Sequence, residues 1–333
     1  MSRYTRQIAV PALGETGQAR LKAAHVLVVG AGGLAAPVLQ YLVGAGVGRI
    51  RLVDPDVVDE SNLHRQTLFR QTDIGQAKAP TAAQHMRVLN DDCRIESIQS
   101  ALDPANVARF CQGVDLVLDC ADSFAASYIL SDHCHARQTP LISASVTGTS
   151  GYVGGFCAKA PSLRALFPDL PQRMGSCAED GVLGPVVGVI GAMQAQMALA
   201  QLAGMDPRPM GQLTTIDAQT WRFGGFRFDS APEPQNAPRF IAPADLRADD
   251  FIADLRAPDE APLAHPSAQR LSVTDFGPQG PRPAAQTRAV LCCRSGLRAW
   301  QAAERLRPHW DGEITLVAFG DTSISQETQG ELA

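Results

Sequence analysis

The sequence predicts an α/β protein built on a doubly wound, mainly parallel sheet with helices on both faces, followed by a smaller α/β domain. Three observations support this prediction. Apolar β-branched runs alternate with stretches of helical spacing over the first 220 residues, a glycine loop follows the first run, and the length of 333 residues exceeds that of one average domain.

The alternation starts at Ala24, where AHVLVVG is a strand-like run that ends in glycine. Further strands are predicted at 49–54, 94–99, 114–120 and 140–145, and helices at 34–43, 78–90 and 123–138. From Gly151 onward the pattern changes. GYVGGFCAK, GQLTTID and WRFGGFRF are predicted to add antiparallel strands to the edge of the sheet.

A polar stretch rich in proline, which contains DSAPEPQNAP, separates this region from the rest of the chain. We predict a first domain over 1–229, a linker over 230–243, a second domain over 244–322 and a polar tail over 323–333.

Composition and charge exclude several classes of protein. Hydrophobic residues make up 45% of the chain, which is enough for a full core, and the net charge of -5 argues against a nucleic-acid or membrane surface. The N-terminus has no apolar segment of a secretory signal. The apolar stretch from Val182 to Met193 contains Gly184, Pro185 and Gly188, so we expect it to be too interrupted to span a bilayer.

The eight cysteines are scattered, and no CxxC pair occurs anywhere in the sequence. This pattern is typical neither of a disulfide framework nor of a zinc knuckle, and it indicates a reducing, cytoplasmic location.

The glycine loop is the first candidate binding site. Gly30, Gly32 and Gly33 lie between a predicted strand and a predicted helix, where glycines let phosphates approach the backbone and the helix N-terminus supplies N–H donors. Asp54, 24 residues after Gly30, ends the next strand and is placed to accept hydrogen bonds from a ribose. This Rossmann-like motif does not distinguish ATP from NAD, and alone it favours a dehydrogenase. A simple tight turn is the alternative.

Several ordered motifs then resemble those of one enzyme family. They are RYTRQ (3–7), DPDVVDESNLHRQTLF (54–69), DIGQAKA (73–79), LDCADS (118–123) and GVLGPVVGVIGAMQA (181–195). Over residues 3 to 228 the chain resembles the HesA/MoeB/ThiF family of adenylyltransferases, which are related to ubiquitin-activating enzymes.

The resemblance implies an ATP-dependent adenylation of the C-terminal Gly carboxylate of a ubiquitin-like sulfur carrier of the MoaD or ThiS kind, with a Gly-Gly end. ATP and Mg²⁺ are the implied cofactors. Charge develops on the α-phosphate and the departing pyrophosphate, so such a site needs fixed cations. The resemblance assigns Arg65 and Lys78 to the triphosphate, Asp122 to Mg²⁺, and Arg6 to the neighbouring subunit's site in a homodimer.

Other residues of the same motifs have weaker support. The resemblance places Ser61, Asn62 and Ser123 near the nucleotide, although Asn62 is also a common turn former. It places Cys177 where relatives carry a cysteine that bonds covalently with the carrier or the sulfur donor, and the alternative is a small buried hydrophobe. Each candidate cation or carboxylate could instead be a solvated surface charge.

Zinc is a point of departure from the family. Many bacterial relatives hold structural zinc with two CxxC pairs. Here Ser162-Leu-Arg-Ala165 takes the place of the first pair, and the linker has no cysteine. We therefore predict no structural zinc site, and we assign His133-Cys134-His135 to a helix, because adjacent helical residues point in different directions.

The second domain resembles a rhodanese. FIADLRAPDE (251–260) is similar to the opening strand and DxR signature, and AVLCCRSGLRA (289–299) to the active loop. Cys293 at a strand-to-helix turn would face consecutive N–H groups, which together with Arg294 and Arg298 favour a thiolate and then a persulfide. We therefore expect its pKa to lie well below the value of about 8.5 for a free thiol. Cys292 is assigned to strand packing.

These expectations describe an adenylyltransferase joined to a sulfurtransferase, with a cysteine desulfurase as a suitable sulfur donor. Two alternatives are an NAD-dependent oxidoreductase and a non-catalytic scaffold that binds carriers, and a docking module is the alternative for the second domain. The sequence leaves open whether the pathway is that of molybdopterin, thiamine or tRNA thiolation.

Overall fold

The computed structural model describes residues 3–169, 181–284 and 287–320. The helices in these ranges are α1 (Thr5–Ile8), α2 (Gly14–Ala23), α3 (Ala35–Gly44), α4 (Lys78–Leu89), α5 (Val107–Phe110), α6 (Phe124–Arg137), α7 (Leu163–Leu166), α8 (Gly184–Ala203) and α9 (Leu297–Leu306). The strands are β1 (His25–Val29), β2 (Arg49–Val53), β3 (Arg94–Ile98), β4 (Leu116–Asp119), β5 (Pro140–Thr147), β6 (Ser150–Cys157), β7 (Gln212–Asp217), β8 (Arg222–Arg227), β9 (Arg239–Phe240), β10 (Phe251–Asp254), β11 (Gln269–Arg270), β12 (Ala289–Cys293) and β13 (Ile314–Ala318).

The chain forms two compact units. The first extends to Gln235, except for the short stretches Asp103–Ala105 and Ser123–Ala125, which group with the second unit from Asn236 onward. The second sheet already begins at β9, which lies inside the segment that the sequence predicts as a linker.

The sheet of the first unit has the strand order β3-β2-β1-β4-β5-β6-β7-β8 in the described residues. The strands from β3 to β5 pair in parallel, and β6, β7 and β8 continue the sheet in antiparallel register. This confirms the predicted doubly wound sheet with antiparallel additions. The direction in which successive strands are added reverses between β1 and β4. In such folds ligands bind at this reversal, beyond the carboxyl ends of the strands.

Burial explains why β1 is central. All five of its residues are buried, as expected for a strand covered on both faces. Helix α3 buries six residues, among them Val38, Leu39 and Leu42, in the same apolar core. The two elements thereby hold the intervening glycine loop between rigid partners.

Helix α8 corrects one expectation. The stretch around Pro185 is part of a continuous helix of 20 residues rather than an interrupted segment. Pro185 lies in the first turn, where the missing N–H breaks no intrahelical hydrogen bond. By length and composition α8 would also fit a membrane span, as apolar core helices often do, and 44% of its apolar window is buried inside the protein. Val187 and Ile190 belong to the core of the first unit.

The second unit contains a parallel sheet with the order β11-β10-β12-β13-β9 in the part of the chain that the structure describes. Every residue of β12 is buried, and α9 follows it after a short loop, with Ala299, Trp300 and Leu306 buried. The sequence of strand, loop and helix at 289–306 therefore agrees with the prediction.

Candidate functional site

The glycine loop follows β1 and packs directly against the end of β4. Gly30 has φ of +94°, and a Cβ atom there would lie 2.6 Å from the carbonyl oxygen of Cys120. A Cβ atom on Gly33 would lie 2.7 Å from Cγ1 of Val187 on α8. Only glycine meets both requirements at position 30, because the conformation and the close approach each exclude a side chain.

Asp54 braces this loop from the end of β2. Its Oδ2 accepts a hydrogen bond from the N–H of Ala31 at 2.7 Å, and its Oδ1 accepts one from the N–H of Asp56 at 2.8 Å. Burial is the main cause that raises the pKa of Asp54, and the backbone donors and Lys78 act in the opposite direction. The observed role of Asp54 is to fix the loop, and its predicted contact with a ribose stays a prediction.

Lys78 is the first residue of α4, and its side chain extends toward the segment that follows β2, near Asp54 and Asp56. The N–H of Lys78 donates to the carbonyl of Asp56, and Val57 and Ala77 form an antiparallel bridge, so the long loop after β2 closes on itself. The ammonium Nζ of Lys78 lies 2.8 Å from Oδ2 of Asp56. Asp56 was not among the predicted residues, although it stands only two positions after Asp54.

Arg65 lies in the turn that follows a short 3₁₀ helix at Glu60–Asn62. Its Nη1 donates to the carbonyl of Ser61 at 3.2 Å. The backbone of Arg65 also approaches the glycine loop, because a Cβ atom on Gly33 would lie 3.3 Å from the carbonyl oxygen of Arg65. The amide of Asn62 donates to the hydroxyl of Ser61 at 3.3 Å. The structure thus places Arg65 against the glycine loop and joins Ser61 and Asn62 in one turn beside it.

Asp122 lies just beyond β4 at the same edge of the sheet, where its side chain is exposed and, among the described residues, accepts no hydrogen bond. A free carboxylate beside a phosphate-binding loop fits Mg²⁺, which typically combines one or two carboxylates with phosphate oxygens and water. Ser123 follows it and is also exposed.

Asp119 is a buried carboxylate that the sequence analysis did not single out. It ends β4, is 0% exposed, and accepts hydrogen bonds from the hydroxyl of Ser143 at 2.7 Å and from the N–H of Ala121 at 3.2 Å. Burial raises its pKa to about 6, although hydrogen bonds from Ser127 and Ser143 pull it down. Asp119 therefore shapes the backbone turn that leads to Asp122.

Gln194 of α8 ties the same strand ends together. Its Nε2 donates to the carbonyls of Asp119 at 2.7 Å and Ile142 at 3.1 Å, and its Oε1 accepts from the thiol of Cys120 at 3.4 Å. The sequence signal for it is ambiguous, because α8 contains the three glutamines Gln194, Gln196 and Gln201 and only Gln194 is fully buried.

Not every predicted site residue joins this cluster. The N-terminal segment is anchored near the amino ends of β2 and β3, because the hydroxyl of Tyr4 donates to Asp92 at 2.9 Å and the amide of Gln7 donates to the carbonyl of Ala45 at 2.8 Å. Arg6 is exposed there, at the end of the sheet away from its own glycine loop. Cys177 lies outside the described residues.

The segment around Ser162, where the sequence predicts no zinc ligands, belongs to a hydrogen-bonded cluster. The N–H and hydroxyl of Ser162 donate to the two oxygens of Glu233 at 2.7 and 2.5 Å. Buried Arg164 forms a two-pronged pair with Asp132 of α6. A hydroxyl and a carboxylate already bound to each other do not make the thiolate tetrahedron of a structural zinc site. Within the described ranges, no cluster of three or more His, Cys, Asp and Glu residues is arranged to hold a metal ion.

In the second unit, Cys293 ends β12 and two N–H groups point at its sulfur. Those of Gly296 and Ala299 lie 3.1 and 3.3 Å from Sγ. However, the side chain is 0% exposed, and burial raises the pKa of Cys293 despite these donors and Arg298. The expected low pKa is therefore wrong for this conformation, because removal of the thiolate from water outweighs the local dipoles.

The DxR signature is built as a buried ion pair. Asp254 at the end of β10 is 0% exposed, and its oxygens accept from Nε and Nη2 of Arg256 at 3.0 and 2.8 Å. The N–H of Ala264 also donates to Asp254 at 2.9 Å, and Nδ1 of His265 lies 2.7 Å from the hydroxyl of Ser267. These contacts fold the segment after β10 back onto the strand end.

Fold and site together define the class of the first unit: an α/β protein whose ligand crevice lies where the strand order reverses, with a glycine loop and two cations at that point. Residues 4–237 match the ThiF family. The chain belongs to the ThiF family.

Curated relatives extend the similarity. The chain is 44% identical over 224 residues to adenylyltransferase and sulfurtransferase MOCS3 of Bos taurus, a match that covers 65% of this chain and 48% of the relative. It is 37% identical over 235 residues to SAMP-activating enzyme E1 of Haloferax volcanii, covering 70% and 87%. The match thus spans about half the length of MOCS3 and of its relatives with similar names.

Solved structures of E. coli MccB have the same fold. The complex with MccA-N7isoASN matches with a TM-score of 0.63 at 20% identity, over 70% of this chain and 74% of that chain. The complex with ATP matches with a TM-score of 0.61, also at 20% identity, over 69% and 73%.

Proposed function

We propose that this protein adenylates the C-terminal glycine carboxylate of a ubiquitin-like sulfur carrier with ATP. One observation carries the proposal: in a chain of the ThiF family, Lys78, Arg65 and Asp122 surround a single glycine loop at the reversal of the strand order. The names of the relatives, which describe adenylyltransferases and an activating enzyme for SAMP, support the same reaction.

In this reaction a carboxylate oxygen of the carrier attacks the α-phosphorus of ATP. The bond from that phosphorus to the bridging oxygen breaks, and pyrophosphate leaves. Negative charge grows on the α-phosphate and on the leaving group, so cations already fixed in place lower the barrier. Lys78 and Arg65 supply the charge, and the N–H groups at the start of α3 supply further donors.

The α/β first unit also contributes the groups that hold a divalent ion and order the loop. Asp122 would hold Mg²⁺, which when bound neutralises phosphate charge and orients the triphosphate. Asp54 keeps the glycine loop in its conformation by accepting the N–H of Ala31. Asp119 and Gln194 keep the turn before Asp122 in place.

We propose that the carrier's C-terminal tail enters along a groove on the antiparallel part of the sheet. The groove has a volume of about 590 Å³, and its lining includes Ser145 and Thr147 of β5, Thr215 of β7 and Arg222 of β8. The strand register places these four side chains on one face of the sheet. β5 runs beyond the end of β4 at the same edge of the sheet that carries Asp122, so a tail in this groove points its carboxylate toward the nucleotide.

The second unit is proposed to deliver sulfur. A thiolate at Cys293 attacks the outer sulfur of a donor persulfide, such as that of a cysteine desulfurase, and the donor leaves as its own thiolate. The hydrogen bonds from Gly296 and Ala299 would stabilise the resulting persulfide anion. Cys177 stays a prediction for a covalent intermediate with the carrier.

The assembly is proposed to be a cytoplasmic homodimer. Arg6 lies away from the glycine loop of its own chain, which supports a role in the site of a second copy. A mixture of Arg6→Ala and Asp122→Ala chains should then regain part of the activity in heterodimers, because one of the two sites is intact.

The direct test is carrier-dependent ATP–pyrophosphate exchange. Purified protein is incubated with labelled pyrophosphate, ATP and one carrier at a time, of the kinds used for molybdopterin, thiamine or tRNA thiolation. Exchange with one carrier, lost when its terminal glycine is removed, supports adenylation and identifies the pathway. Carrier binding without exchange under any of these conditions would instead indicate a scaffold.

A further inference from the structure

Arg298 in the first turn of α9 is held by Glu260, the last residue of the segment FIADLRAPDE, which has no assigned role in the sequence-based prediction. Its Nη1 and Nη2 donate to Oε2 and Oε1 of Glu260 at 2.7 and 2.6 Å, and Nη1 also donates to the carbonyl of Leu255 at 2.9 Å. Glu260 is itself fixed, because the N–H of Ala257 donates to Oε2 at 2.6 Å. Arg298 and Glu260 therefore form a bidentate ion pair, and each side chain has a further hydrogen bond to the backbone.

Arg298 immediately precedes Ala299, whose N–H lies 3.3 Å from the sulfur of Cys293, so the cation belongs to the turn that faces this sulfur. The positive charge of Arg298 lowers the pKa of Cys293, while a thiolate there raises that of Arg298. Arg294 on the loop and Asp254 at the end of β10 also face this pair and act on Glu260 and Arg298 respectively. The pKa of Glu260 falls to about 2, chiefly because of its hydrogen bonds from Arg298, so Glu260 stays ionised at neutral pH.

We propose that Glu260 is a positioning residue for sulfur transfer, which holds Arg298 beside the Cys293 loop and balances its charge until an anionic sulfur donor takes the place of the carboxylate. This inference rests on the proposed function of the second unit. An incoming persulfide or thiosulfate anion competes with Glu260 for the same guanidinium, so Arg298 would then hold the donor beside Cys293 in place of the carboxylate.

The physical argument concerns charge balance. A thiol buried without a net positive neighbour resists ionisation, and the Glu260–Arg298 pair contributes almost no net charge. A Glu260→Gln substitution keeps the shape and a hydrogen-bond acceptor for Arg298 but removes the negative charge. The positive field at Cys293 then increases, and its thiolate becomes more stable.

The test measures the rate at which iodoacetamide alkylates Cys293 in the full chain between pH 6 and 10, with the modified peptide identified by mass spectrometry. In Glu260→Gln the pH midpoint should move down, and the rate near pH 7.5 should rise about threefold to tenfold, which corresponds to a shift of about half to one pKa unit. Glu313→Gln, which removes an exposed carboxylate from the same unit, should alkylate at the wild-type rate.

An unchanged or slower rate in Glu260→Gln would overturn the proposal, whatever the thermal stability of the variant. Arg298→Gln should have the opposite effect, because loss of the cation should slow alkylation of Cys293 below the wild-type rate. Persulfide formation at Cys293 is measured separately. If alkylation shifts as expected and no donor ever loads Cys293, then sulfur transfer is wrong and the charge balance at Glu260 stands.

Discussion

The ammonium group of Lys78 lies 2.8 Å from a carboxylate oxygen of Asp56, so the cation assigned to the triphosphate already has a partner in its own loop. The side chain of Lys78 is 7% exposed, whereas that of Asp56 is 58% exposed. A buried charge without a partner is costly, and Asp56 removes that cost before the nucleotide binds. Because Asp56 is open to water, phosphate oxygens of the proposed nucleotide would be able to replace it beside Lys78.

Lys78→Ala, Arg65→Ala and Asp122→Ala should each lower carrier-dependent pyrophosphate exchange by about two orders of magnitude, because each removes stabilisation of charge in the transition state. Asp56→Asn should keep exchange within a few-fold of wild type, because phosphate oxygens would replace the lost charge beside Lys78, and it should lower the free energy of unfolding measured without nucleotide. Exchange at the wild-type rate in all three alanine variants would contradict the adenylation proposal.

Gly30→Ala should lower the midpoint of thermal unfolding by several degrees, because the new Cβ would lie 2.6 Å from the carbonyl oxygen of Cys120 and φ is positive. Gly32→Ala is the matched control in the same loop, since its Cβ would meet its nearest neighbour only at 3.6 Å. Both variants are compared by calorimetry without nucleotide. Equal midpoints would show that the loop does not pack against the end of β4 as described.

Asp119 should make stability depend on pH in a definite direction. Burial raises its pKa from the ordinary value of 3.8 to about 6 in the folded protein, so the folded state binds the proton more tightly than the unfolded chain. The free energy of unfolding should therefore fall as the pH rises from about 4 to 6, by on the order of 2 kcal/mol from this group. In Asp119→Asn this contribution disappears. Urea unfolding of both proteins at pH 4.5, 5.5 and 7 measures the difference. If the free energy of unfolding changed with pH by the same amount in the two proteins, the prediction for Asp119 would be contradicted.

Glu233→Ala should destabilise the first unit by about 1–3 kcal/mol, because it leaves the N–H and hydroxyl of buried Ser162 without their acceptor. Asp91→Ala, which removes an exposed carboxylate, serves as the control. A zinc chelator should leave the unfolding midpoint of the wild type unchanged. Loss of stability with the chelator, together with about one zinc per chain, would show that a metal site exists outside the described cluster.

Arg222→Ala should raise the KM for the carrier and leave the KM for ATP unchanged, because Arg222 lines the groove proposed for the carrier tail and, through its pair Asp217, shares a face of the sheet with Thr215. Arg227→Ala is the matched control. Arg227 is exposed on the same strand, five positions further along, so it points to the other face of the sheet. Equal effects of the two substitutions on the carrier would argue against the groove.

The order of strands and helices could be predicted from the sequence because apolar periodicity reports directly on burial. The runs that became β1 and β4 differ from their predicted bounds only at the ends. Pro185 misled the prediction, since a proline that starts a helix and one that breaks it look alike when the first turn is unknown.

The contacts that complete the sites were harder to predict. Asp56, Gln194 and Glu260 act through partners that are 22 to 75 residues distant in sequence, and no local pattern reports such pairing. For Cys293, the sequence does show a loop that converges on the sulfur. It does not show that the sulfur is fully buried, and this decides the direction of its pKa.

Under the proposed homodimer, the anchoring of Arg6 near the amino ends of β2 and β3 would make the activity depend on protein concentration. If Arg6 completes a site only in a second copy, then an isolated chain lacks one cation at its own nucleotide. Specific activity would fall on dilution below the dissociation constant of the pair, even though every chain stays folded. In a cell, the amount of competent enzyme would then rise faster than the amount of chain produced.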